Sequence, residues 1–163
     1  MFIFAGIALA SFLLGVLWGA GGTTEIDALS PTEAEAVSIF GNNLLVGVSI
    51  VFLGSVTGGV YGCVVLLVNG YLLGELLQYL FAEKMYQTMV TGLLPHLGLE
   101  VVGLIGFVIL SFFPVGELVC WMKNGRMSMR LSALAKRAAV LFGFGVVSLL
   151  LAAIVEGNVS MVI

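Results

Sequence analysis

Charge is what this sequence has least of. Of its 163 residues, 9% are charged and 61% are hydrophobic, where an average soluble domain has about 25% and about 45–50%. Mean hydropathy is +1.20. A soluble fold of this size has too little interior to hide so much apolar surface, so the bilayer must act as solvent. Histidine occurs once, at His96, which rules out sites built from two or three imidazoles, the HExxH zinc pattern among them. The two cysteines, Cys63 and Cys120, lie in or beside apolar segments without metal-ligand spacing. They read as small packing residues, with a disulfide as the alternative. Gly58-Gly59 follows an apolar run and lacks the Lys-Ser/Thr of a phosphate-binding loop. The seven methionines are scattered and fill packing gaps rather than bind copper.

The few charges are unevenly placed. Glu25, Asp27, Glu33 and Glu35 form an acidic cluster without a base, while Lys123, Arg126, Arg130, Lys136 and Arg137 form a basic cluster without an acid. The basic run is short and fits membrane topology better than nucleic-acid binding. No nucleic-acid partner is expected.

Taken in order, the chain predicts one all-α membrane domain, a helical bundle of about five spans. Residues 2–20 form the first apolar run. It is longer than a signal-peptide core and has no charged leading region, so it reads as a retained span. Its Gly15 and Gly19 make a small-xxx-small pair. Residues 21–38 form a polar, acidic loop in which Ser30-Pro31-Thr32-Glu33 has the form of a helix capping box. From Phe40 to Phe81 there is no Lys or Arg and one acid, Glu75. That length suits two spans, 40–57 and 60–82, broken at Thr57-Gly58-Gly59. Gly54, Gly58 and Gly62 recur every fourth residue, which permits close contact between the two arms. A fourth span covers 93–113 and ends before Pro114. Residues 115–122 fit either an extension of that span or an interfacial turn with Trp121 at headgroup level. Residues 123–137 place Met127, Leu131, Leu134 and Ala138 against Arg126, Arg130 and Arg137, the pattern of an amphipathic surface helix. A fifth span covers 138–155. Excess Lys and Arg mark cytoplasmic segments, so the basic run sets the amino terminus inside, and the acidic loop and carboxy terminus outside.

This topology collects the intramembrane polar residues at one level. Asn42, Asn43, His96 and Glu100 fall in the outer half, Asn69 near mid-depth and Glu75 above it. Ionisable groups at such depth turn inward and carry a purpose. His96 and Glu100 share one helix face, one turn apart, and Pro95 suits the first turn of their helix. A hydrogen-bonded cluster of His96, Glu100 and at least one asparagine is expected in the bundle interior. Two ligands at that spacing lack the third that zinc requires, and no nucleophile elbow accompanies the histidine. No catalytic residue, metal or cofactor is assigned.

The same residues carry a resemblance. Asn42-Asn43 heads a span, Asn69-Gly70-x-x-x-Gly74 lies in the next, and Leu94-Pro95-His96 with Glu100 follows a short loop. In order and spacing this resembles the stage II sporulation protein M family across roughly 40–110. Leu97 stands where that pattern has glycine, with Gly98 one place later. The resemblance implies a small integral membrane protein of bacteria or archaea without catalytic activity, acting as an anchor for partners.

The resulting expectation is a multi-pass protein of the cell membrane. Its partners are the lipid bilayer and either copies of itself or other membrane proteins, and its role is that of a scaffold or complex subunit. A transporter or channel component with a passage lined by His96 and Glu100 is the alternative, and an intramembrane hydrolase or metal site the third reading.

Overall fold

A computed structural model of the chain describes residues 2–21, 36–127 and 130–159. Six α-helices account for most of them: α1 (Phe2–Gly19), α2 (Ala36–Val56), α3 (Val60–Ala82), α4 (Leu94–Ser111), α5 (Phe113–Asn124) and α6 (Leu131–Val159). The described residues contain no strand. Backbone hydrogen bonds closed within each segment are what a lipid environment demands, since hydrocarbon offers the amides no partner. α2, α3, α6 and the run Met89–Asn124 are long and apolar enough to cross a membrane, while the apolar part of α1, Ile3–Gly19, is shorter. The acidic cluster and the Ser30-Pro31-Thr32-Glu33 box lie outside the described residues.

The breaks have local causes. Gly58 and Gly59 take φ values of +66° and +88°, a left-handed pair that residues with a Cβ adopt at a cost of about 1–2 kcal/mol each. That reversal joins α2 to α3. α3 ends with Lys84 at φ +60° and the Met85 N–H donating to the Leu80 carbonyl at 2.9 Å, a Schellman-type closure. Ahead of α4, residues Thr88–Leu93 form a π-helical turn, with the Leu94 N–H donating to Met89. Next in line is Pro95, which has no N–H to give. Pro114 sits in the first turn of α5, and the chain bends just before it, at Phe112.

The described part of α2 starts at Ala36, in keeping with a helix that begins ahead of its apolar span. Two boundaries differ from the sequence reading. Residues 113–124 form a helix of their own, which resolves the ambiguity over 115–122. Residues 123–137 are not one surface helix. Lys123 and Asn124 end α5, Gly125 at φ +65° breaks the chain, and Leu131 opens α6, which continues for 29 residues. No glycine or proline separates Leu131 from the fifth apolar run, so the helix has no reason to stop at Arg137.

Packing divides the bundle into α1 on α3 and α4 on α6, with α2 touching both sides and lying mainly against α4 and α6. The first pair is built on glycine. A Cβ at Gly15 or Gly19 would strike the carbonyl oxygens of Leu67 and Tyr71, and one at Gly70 or Gly74 those of Phe12 and Val16. Numbers rise together on both helices, so α1 and α3 run parallel, backbone against backbone. In α4 and α6 they run opposite: Gly103 meets Gly145 and Ser148, and Gly106 faces Leu141 and Phe144. Phe107 fills the centre, fully buried, between Gly47 of α2 and Gly145 of α6. The glycines of the α2–α3 hairpin face α4 more than each other. Gly54 lies against Ser111, and Gly62 against Val108 and Ile50, with 3.8 Å from a Gly54 Cβ to the Gly62 nitrogen. The hairpin arms are held apart because the α4 side chains enter between them.

Candidate functional site

Most of the polar residues singled out in the sequence fall at or near one end of the bundle, with Asn69 in the middle of α3. That end carries the α1 carboxy terminus, the start of α2, the end of α3 and the start of α4. The end of α6 joins them there, since a Cβ at Gly157 would lie 2.9 Å from that of Ala36. The π-helical turn and Pro95 set where α4 begins, and a widened turn of this kind often accompanies a functional position. His96 follows at once. It is half-buried, and its Nδ1 is enclosed without a hydrogen-bond partner among the described residues. One turn on, Glu100 is also half-buried and lies close enough to Glu156 of α6 for the two carboxylates to repel.

Other predicted members are placed separately. Asn42 is exposed and Asn43 half-buried, near the start of α2. Asn69 donates from Nδ2 to the Val65 carbonyl of its own helix at 2.8 Å. Glu75 accepts from the Tyr71 hydroxyl at 2.7 Å and belongs to the α1–α3 seam, where a Gly19 Cβ would lie 2.9 Å from its backbone nitrogen. No side-chain hydrogen bond joins His96 or Glu100 to an asparagine among the described residues. The polar groups other than Asn69 form a layer, and these hydrogen bonds of Asn69 and Glu75 stay within α3. A half-buried asparagine satisfied by the carbonyl one turn back has no need of a partner on another helix.

Of the glycines, Gly70 and Gly74 serve the α1 contact, while Gly98, beside the histidine, has nothing within 4 Å of a built Cβ. Leu97, in contrast, packs on the core. The open position beside His96 is thus Gly98, and no backbone approaches it.

Sequence reasoning missed two acids. Glu156 lies just past the fifth apolar run, and only the antiparallel register of α4 and α6 brings it near Glu100. Glu117 of α5 is 8% exposed and lines a cleft of about 650 Å³ with Ser55, Phe113, Trp121 and Leu134. An acid in the apolar stretch before the basic run was its only sequence signal. Cys63 and Cys120 are both free and half-buried. No group of three or more His, Cys, Asp and Glu among the described residues is arranged to hold a metal ion.

A helical bundle with apolar outer faces, glycine-mediated helix contacts and ionisable groups gathered towards its two ends defines a multi-pass membrane protein. The stage II sporulation protein M family model matches residues 2–161, essentially the whole chain, and the protein belongs to that family. No curated protein and no solved structure matches the chain.

Proposed function

We propose that the protein is a non-enzymatic scaffold of the cell membrane, working as a homo-oligomer or as a subunit assembled with other membrane proteins. The observation that carries this reading is the packing beneath the polar layer. Below His96 and Glu100, α4 presents Leu104, Phe107 and Val108, met by Ile50, Leu66 and Leu149, each 2% exposed or less. A route for protons or ions needs polar groups or water along its length, because an isolated charge in such an interior costs several kcal/mol. This dry core favours a rigid body over a passage. The lone imidazole, whose Nδ1 has no hydrogen-bond partner among the described residues, favours a structural role over hydrolysis.

The orientation belongs to the same proposal. Lys123, Arg126, Arg130, Lys136 and Arg137 surround the α5–α6 junction, and the positive-inside rule puts that end in the cytoplasm. The polar layer then faces the outer half of the bilayer. α1, α3 and α6 point outward while α2 and α4 point inward, in keeping with the parallel and antiparallel registers.

Two measurements test the reading. Cross-linking in native membranes should give a discrete species larger than the 17.1 kDa chain, unchanged in His96→Gln. Proteoliposomes containing a pH dye should show no proton flux above protein-free vesicles. A flux lost in Glu100→Gln, or only uncross-linked chain, overturns the proposal.

A further inference from the structure

A second cleft, of about 640 Å³, lies at the basic end of the bundle, lined by Phe113, Ala133, Lys136, Arg137, Val140 and Leu141. Five of these six come from α6, at spacings of three and four residues, and so share one helix face. Their depth follows from α6 itself. Residues 138–155 carry no charge and span about 27 Å at 1.5 Å per residue, close to the ~30 Å hydrocarbon core. Lys136 and Arg137 therefore stand where the lipid headgroups begin, and Val140 and Leu141 lie one turn deeper, among acyl chains. The cleft is cationic at its mouth and apolar at its floor.

We propose that this cleft binds one anionic phospholipid, its phosphate held by Lys136 and Arg137 and an acyl chain laid against Phe113, Val140 and Leu141. Charge complementarity selects this occupant. Both cations are exposed, and neither makes an ion pair among the described residues. Lys123, Arg126 and Arg130 add to the positive field at the same end. The neighbouring cleft shares Phe113 but contains the Glu117 carboxyl, which repels a phosphate, so the headgroup is directed to the α6 side. A free phosphate ion would use the two cations and leave the apolar floor empty. A zwitterionic lipid would fill the floor and gain little from the cations. Only an anionic lipid satisfies both halves.

The test uses the full-length protein, purified in a neutral detergent and delipidated, with native mass spectrometry as readout. Phosphatidylglycerol, phosphatidylcholine and inorganic phosphate are offered in turn. One phosphatidylglycerol per chain is retained, while phosphatidylcholine binds several-fold more weakly and inorganic phosphate does not displace the lipid. Lys136→Gln with Arg137→Gln weakens retention roughly thirty-fold, about fivefold for each cation removed. Val140→Trp, at an exposed position, keeps both charges and blocks the floor. It weakens retention to a similar degree and decides the matter if the double variant does not fold. Equal retention of the two lipids, or displacement by inorganic phosphate, overturns the proposal. So does an equal loss in Lys123→Gln with Arg126→Gln, which reports diffuse attraction and not a site.

Discussion

The ring of Phe107 in α4 stands directly over Gly145 of α6, so close that a Cβ there would lie 2.8 Å from Cζ of the ring. On its other side the same ring meets Gly47 of α2, where a Cβ would come to 2.5 Å of Cε2. One aromatic side chain thus ties three helices together at the level just below the polar layer.

Enlarging either glycine should therefore be costly, and so should removing the ring. Phe107→Ala should lower unfolding stability by about 3–5 kcal/mol, the range for emptying a large buried site. Gly145→Val should cost about 1–3 kcal/mol through overpacking. Gly143→Ala, two residues away with nothing within 4 Å, should be near neutral. Thermal unfolding of the three variants in one detergent checks the contrast, and a Gly143→Ala as damaging as Gly145→Val would refute it.

The α1–α3 contact rests on backbone meeting backbone, which cannot relax by turning a side chain. Gly19→Ile or Gly74→Ile should cost at least about 3 kcal/mol, the top of the overpacking range, and should separate α1 from the bundle. Cysteines introduced in place of Val16 and Leu73, in a background lacking Cys63 and Cys120, report that separation as a change in cross-linking yield. Gly6→Ile on the same α1 helix, with open space around it, should leave the yield unchanged.

Glu100 of α4 and Glu156 of α6 lie near enough for their carboxylates to repel. Glu156→Gln removes one member of a like-charge pair and should raise stability on the order of 1 kcal/mol at neutral pH and low salt. Glu156→Lys should raise it further by supplying an opposite charge. Raising the salt concentration should shrink both gains, since added ions screen the pair. A loss of stability in both variants would mean that the two carboxylates do not face one another.

Orientation can be read chemically. In the same cysteine-free background, Gly125→Cys should react with a membrane-impermeant maleimide only after the membrane is opened. Gly21→Cys should react from outside in intact cells. The reverse pattern would invert the proposed topology and place the polar layer on the cytoplasmic side.

Much of the architecture was legible without coordinates, because the bilayer imposes strong one-dimensional rules. A shortage of charge and runs of about 20 apolar residues give the helices, and Thr57-Gly58-Gly59 gives the α2–α3 turn. Pro95 gives the start of α4. The break before α6 was misplaced, since a basic amphipathic pattern looks alike in a surface helix and in the first turns of a spanning one. Helix partners were not legible either. Gly15-x-x-x-Gly19 announces that some helix approaches closely but not that α3 does, and α3's own glycine spacing fits several partners equally well.

The Leu94–Glu100 stretch shows the same division. By itself the sequence determined that His96 and Glu100 share a helix face at one end of a span, since that follows from 3.6 residues per turn. Only the tertiary structure decided what faces them. Antiparallel packing of α4 on α6 brought Glu156 near Glu100, while Asn69 turned to its own helix and Glu75 to the α1 seam. Those outcomes depend on the rotation and register of whole helices, which are set by glycine contacts and by Phe107 filling the centre. Neither is encoded in the spacing of the polar residues themselves.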